Sequence, residues 1–239
     1  MHILVVNING LKYLKNLIKD LKKQTYSFKL TIVDQGSIEK GTYEFLSAIS
    51  KEKFTHVVLN RENVNLNTIW NRFYYQNTDE MLCFLNNDVR VPKNFVEDTV
   101  NIFLKEPEVG CVVHATNHPN YNKTTKLTYV IINKEFAQGW DFTMLKSVYT
   151  PIPEDLNTFG GDDWLYLNMY DKGYKTAIAL SSPIIHYCGM SHKYFTGSRN
   201  DISKIYYNKY SNKKMPHYNK KYCRRKPTFN KIINGEKND

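Results

Sequence analysis

Short apolar runs alternate with segments in which apolar residues recur at helical spacing. His2–Ile8 is the first run and predicts a strand. Asn9-Gly10 breaks it, and Leu11, Leu14, Leu17, Ile18 and Leu21 then line one face of a helix. Phe28–Val33 predicts a second strand, closed by Asp34-Gln35-Gly36-Ser37. Tyr43–Ile49 reads as a helix, His56–Leu59 as a strand, Leu66–Tyr75 as a helix and Met81–Leu85 as a fourth strand. Pro92 suits the start of a helix over Asn94–Leu104, because a proline is tolerated in a first turn. Val109–His114 follows as a strand. This alternation predicts the α/β class, with a mostly parallel central sheet and helices on both faces.

The second half breaks the rhythm. Lys126–Asn133 and Phe142–Val148 predict strands with no helix of useful length between them. Asp162–Lys172 predicts a helix with Gly173 at its C-cap, then Lys175–Leu180 a strand, and Pro183–Tyr187 leads into His186 and Gly189. A parallel half over 1–115, a smaller mixed half over 116–192 and an extension over 193–239 are the expected divisions.

Charge sharpens only the last of these. Residues 193–239 carry 13 basic and 3 acidic residues, so 13 − 3 = +10, the whole formal net charge. Six tyrosines are interleaved there, which points to an anionic partner. No apolar run reaches the roughly 20 residues of a membrane span. The four cysteines form no CxxC pair, so a reduced, cytoplasmic setting without a disulfide framework is expected.

Candidate chemistry gathers at strand ends, where open α/β sheets bind ligands. Asn86-Asn87-Asp88 follows the fourth strand, and its carboxylate suits a hard divalent cation beside phosphate oxygens. The competing reading is a strand ending in an Asx-type turn. Asp34 closes the second strand, where it is either a turn former or an acceptor for a base or ribose. Asp162 and Asp163 follow Gly160-Gly161 at a helix start, as capping carboxylates or as a general base. His186 is a second candidate metal ligand.

In this order the segments resemble a family 2 glycosyltransferase of the GT-A fold, over roughly residues 2–192. Val5-Val6-Asn7-Ile8-Asn9-Gly10 is similar to that family's first strand and turn, and Ile32-Val33-Asp34-Gln35-Gly36-Ser37 to its "VDNGS" segment. Glu62-Asn63 through Asn71 resembles "ENLGFAGGNN", Leu85–Asp88 the "LNND" form of the DxD motif, and Gly160-Gly161-Asp162 the "GED" element. The resemblance implies a nucleotide-diphosphate sugar donor, UDP-, dTDP- or GDP-linked. It implies contacts to that donor from Asn7, Asn9, Asp34, Asn63, Asn71, Asn86 and Asn87. Mn²⁺ or Mg²⁺ would sit on Asp88, with His186 completing the site. Asp162 would be the base, with Asp163 as alternate, and Trp140, Asp141 and Trp164 would meet the acceptor. The acceptor would be a saccharide or, given the basic tail, DNA. The departures are Asn86 in place of the first acid of DxD, and Asn65 and Asn67 in place of small residues. A catalytically silent binding module and a pyrophosphorylase-type nucleotidyltransferase are the rival classes. The second needs a glycine-rich loop with a basic residue after the first strand, which Asn7-Ile8-Asn9-Gly10 does not supply.

Overall fold

The computed structural model describes residues 1–53, 55–116, 128–132, 137–156 and 160–187. In chain order the elements are β1 (His2–Asn7), α1 (Leu11–Leu21), β2 (Lys29–Gln35), α2 (Thr42–Ile49), β3 (Thr55–Asn60), α3 (Leu66–Gln76), β4 (Met81–Asn86) and β5 (Val89–Arg90). There follow α4 (Phe95–Lys105), β6 (Val109–Thr116), β7 (Tyr129–Ile132), β8 (Asp141–Leu145), a 3-10 turn at Lys146–Val148, α5 (Gly161–Asp171) and β9 (Lys175–His186).

The strands form one sheet in the order β3-β2-β1-β4-β8-β6-β9-β5, with β7 also paired to β9. From β3 to β4 all pairings are parallel. Beyond β4 the sheet is mixed, since β8 runs antiparallel to both β4 and β6 while β6 and β9 are parallel. The registers Asn7↔Asp34 and Val6↔Asn86 bring the carboxyl ends of β1, β2 and β4 to one edge.

Burial explains the layers. On one face Leu14, Leu17, Ile18 and Leu21 of α1, with Phe95, Val96 and Val100 of α4, pack on Ile3, Val5, Ile32 and Leu85. On the other face Trp70 and Phe73 of α3 meet Phe84 at ring separations of 5.4 and 5.7 Å, and Phe142 stacks on Phe84 at 4.7 Å. Such ring pairs each add about 0.5–1.5 kcal/mol beyond their buried area.

Several boundaries differ from the sequence expectation. Asp34 and Gln35 are the last residues of β2 rather than its closing turn. Pro92 precedes α4, which begins at Phe95, and its carbonyl accepts from the Phe95 amide. The expected strand over Phe142–Val148 ends at Leu145 and tightens into the 3-10 turn. β9 runs unbroken through Ser181-Ser182-Pro183, next to a register shift against β6 between His114 and Thr116. That irregularity is where a strand proline is tolerated. β5 escapes sequence reading because two residues carry no period; its pairing with Ile185 and His186 defines it. Arg90 holds β5 to α1 through a two-pronged ion pair with buried Asp20, and these hydrogen bonds push the guanidinium pKa further up.

Candidate active site

The edge formed by β1, β2 and β4 is a polar network rather than a row of free side chains. The Asp34 carboxylate accepts from Asn7 Nδ2 at 2.7 Å, from the Ser37 hydroxyl at 2.7 Å and from the Ser37 amide at 2.9 Å. Asn87 Nδ2 donates to Asn7 Oδ1 at 2.7 Å, which ties the segment after β4 to β1. Asn9 stands at φ 44°, in the left-handed region that asparagine tolerates. Its Oδ1 accepts from the amides of Ile38 and Glu39 at 2.8 and 3.2 Å. The turn chemistry of Asp34 is therefore real, and a carboxylate with about four lone-pair positions keeps one for a further donor.

Asn63 is exposed, and its neighbour Val64 is held by both ends of the Gln35 amide. The Asn71 amide is engaged by Ile152 N, Ile152 O and the Tyr149 hydroxyl.

Asp88 is brought to His186 by the β5–β9 pair. His186 Nε2 lies 3.3 Å from Asp88 Oδ1, and the Tyr187 amide donates to Asp88 O at 3.0 Å. The Trp140 ring lies on the His186 ring, centroids 5.1 Å apart and planes 16° apart. Trp140 is fixed by its indole N–H to Thr116 Oγ1 at 3.1 Å, while its carbonyl accepts from the Asn86 amide at 3.0 Å. A carboxylate and an imidazole at one sheet edge fit Mn²⁺ or Mg²⁺ held jointly with phosphate oxygens and water. Among the described residues no third His, Cys, Asp or Glu joins them.

Asp162 reaches the same cluster from α5. A Cβ on Gly139 would lie 2.6 Å from Asp162 Oδ2, so the carboxylate packs directly on the backbone beside Trp140. Asp162 and Asp163 both occupy the first turn of α5, where the helix dipole favours negative charge. It is Asp162, not Asp163, that packs on Gly139. Trp164 Nε1 donates to Pro151 O at 3.2 Å.

Asp141 is different from its expected setting. It is 0% exposed, and its Oδ2 accepts from His114 N at 2.9 Å and faces His114 Nδ1 at 3.0 Å. His114 Nε2 faces Thr99 Oγ1 at 3.3 Å. Gln138 Nε2 donates to Asp141 O at 3.0 Å, and the Tyr166 hydroxyl to Gln138 O at 3.4 Å. This buried network moulds the Gln138-Gly139-Trp140 turn, which touches both Asp162 and His186. His114, Gln138 and Gly139 had no assigned part in the sequence reading. The available signal was His114 itself, a lone polar residue in an apolar strand, which requires a buried partner. The basic segment 193–239 lies outside the described residues.

The model of the family described as glycosyl transferase family 2 matches residues 2–178. The chain belongs to that family. Its sheet, with the acid-bearing strand ends on one edge, is the GT-A fold. S. aureus TarS residues 1–349 in complex with UDP-GlcNAc superposes with TM-score 0.62 at 14% identity, over 85% of this chain and 63% of TarS 1–349. GalNAc-T7 with UDP, GalNAc and Mn²⁺ gives TM-score 0.62 at 14% identity, over 77% of this chain and 43% of that one. The mannosyltransferase PcManGT from Pyrobaculum calidifontis with GDP-Man and Mn²⁺ gives 0.61 at 17%, over 79% and 57%. The family 2 chain thus spans less than two thirds of each of these proteins, and at such identities the likeness is one of fold. No curated protein matches it.

Proposed function

We propose that this family 2 chain transfers a sugar from a nucleotide-diphosphate sugar to an acceptor hydroxyl, with inversion, assisted by a divalent cation. The observation that supports the reading most is the convergence of Asp88, His186, Trp140 and Asp162 at the carboxyl edge of the sheet. The Asn7–Asp34–Asn87 network forms the floor for the nucleotide, with Asp34 offering its remaining acceptor position to a base or ribose. Asn9, Asn63 and Asn86 flank that floor. Asp88 and His186 would hold Mn²⁺ or Mg²⁺, which when bound offsets charge on the departing diphosphate. Asp162 takes the proton of the acceptor hydroxyl as that oxygen attacks the anomeric carbon from the face opposite the diphosphate. An ordinary carboxylate is a weak base, so proton transfer is concerted with bond breaking. The face of Trp140 beside His186 suits an acceptor ring. A saccharide is the acceptor class this site fits.

The basic, tyrosine-rich sequence of residues 193–239 favours a second acceptor class, single-stranded nucleic acid. Acceptor affinity falling steeply with salt would select it, and salt-independent affinity would select a neutral saccharide.

Two experiments probe the site directly. Asp88→Asn should raise the Mn²⁺ concentration for half-maximal turnover by at least about tenfold, since even indirect partners of a metal site cost 10–100-fold. An unchanged Mn²⁺ titration would remove Asp88 from the site. Gly139→Ala should press on the Asp162 carboxylate and lower kcat about tenfold or more, with donor KM nearly unchanged. A wild-type kcat in that variant would mean that Asp162 does not act from this position.

A further inference from the structure

Asn67 and Asn71 stand one turn apart on α3, and both reach the segment that leads to α5. Asn71 grips its start: Nδ2 donates to Ile152 O at 2.7 Å, and Oδ1 accepts from Ile152 N at 2.9 Å and the Tyr149 hydroxyl at 3.0 Å. Asn67 grips its end, with Nδ2 donating to Leu156 O at 2.7 Å in a buried setting. The rest of the Asn67 amide has an unusual position. Asn67 is 2% exposed, and its Oδ1 is buried with no hydrogen-bond partner. A Cβ on Gly161 would meet that Oδ1 at 2.1 Å and the amide carbon at 2.7 Å. The first residue of α5, adjacent to Asp162, therefore sits directly on the Asn67 amide. A buried oxygen left without a donor costs about 1–3 kcal/mol, so Asn67 is poorly explained as a stability device.

We propose that Asn67 is a positioning residue for Asp162. Its amide, anchored to Leu156 O, sets the height at which α5 begins, and so how the Asp162 carboxylate meets Gly139. Asn71 fixes the other end of the same segment. This rests on the reading of Asp162 as the base. It predicts a loss in the chemical step rather than in donor binding, because displacement by about 1 Å is enough to cost 10²-fold.

The test uses the full chain and the variants Asn67→Ala, Gly161→Ala and their combination. Gly161 has no positive φ, so alanine is compatible with its backbone, and the three atoms nearest its Cβ all belong to Asn67. With the sugar nucleotide that turns over fastest, each single variant should lower kcat for nucleoside diphosphate release about tenfold or more, with donor KM within about twofold. In the combination the alanine methyl occupies space left by the amide, so turnover should exceed that of Gly161→Ala. A wild-type kcat in Asn67→Ala, or a KM that rises as far as kcat falls, would overturn the proposal.

A second readout needs no turnover. The protein has three tryptophans, and Trp164 joins α5 to Pro151 O of the gripped segment. In 5-fluorotryptophan-labelled protein, Asn67→Ala should shift or split the Trp164 fluorine resonance and leave that of Trp140 in place. An unmoved Trp164 resonance would sink this proposal alone, whereas full activity in Asp162→Asn would sink the base assignment and leave the packing result standing.

Discussion

Asp162→Asn is expected to lose turnover by about 10²–10⁴-fold, the range a positioned general base contributes, while donor binding stays intact. Asparagine has the carboxylate's shape, so the contact with Gly139 survives, but its amide cannot accept the proton of a hydroxyl nucleophile. The loss of a negative charge from the first turn of α5 costs only about 0.3–1 kcal/mol of helix stabilisation, too little to unfold the domain. The two quantities to measure are nucleoside diphosphate release and nucleotide affinity by calorimetry. Asp163→Asn, whose side chain is not the one packed on Gly139, should stay within about threefold of the parent, since the helix-dipole effect of a first-turn carboxylate is only about 0.3–1 kcal/mol. Full activity in Asp162→Asn together with loss in Asp163→Asn would move the base by one residue.

The second large effect is on stability. Asp141→Ala should destabilise the fold by about 3–5 kcal/mol, the cost of removing one partner of a buried, hydrogen-bonded Asp–His pair. The pair is wholly out of solvent, and truncation strands the His114 amide and the Nδ1 of its ring, while Gln138 keeps its bond to the Asp141 carbonyl. For a domain of this size that corresponds to a drop in Tm of about 6–20 °C. Asp141 Oδ1 is already buried without a partner, so the pair is not an optimum of stability. The double variant His114→Leu/Asp141→Leu should therefore be more stable than Asp141→Ala, since apolar replacement of both side chains leaves no unpaired imidazole in the core. If Asp141→Ala melts within about 2 °C of the parent, less than about 1 kcal/mol at this chain size, the pair carries no such weight.

Local pattern and long-range pairing divide what the sequence could reveal. α1 was legible from Leu11, Leu14, Leu17, Ile18 and Leu21, all of which are buried on one face. β1 and β4 were legible because strands covered on both faces must be apolar along their length. Asp34, Asp88 and Asp162 stand out in the sequence because strand ends and helix starts are marked by local chemistry. What stayed hidden depends on partners distant in sequence. Asp141 reads as a polar residue beside a tryptophan, yet its partner His114 lies 27 residues away on β6. Asn71 reads as part of a nucleotide-side motif, yet its amide is turned to Ile152, 81 residues on. β5 exists only because His186 and Ile185 pair with it, and that pairing is what brings His186 to Asp88.

The proposed transfer of a sugar from a nucleotide-diphosphate donor at this edge of the sheet releases the donor's nucleoside diphosphate. The most direct measurement incubates the protein with UDP-, dTDP- and GDP-linked sugars, with Mn²⁺ or with EDTA, and identifies the phosphorus products by ³¹P NMR. The expected result is free nucleoside diphosphate from one donor class, formed with Mn²⁺, suppressed by EDTA and absent in Asp162→Asn. Release of pyrophosphate or nucleoside monophosphate, or turnover indifferent to both EDTA and Asp162→Asn, would contradict it.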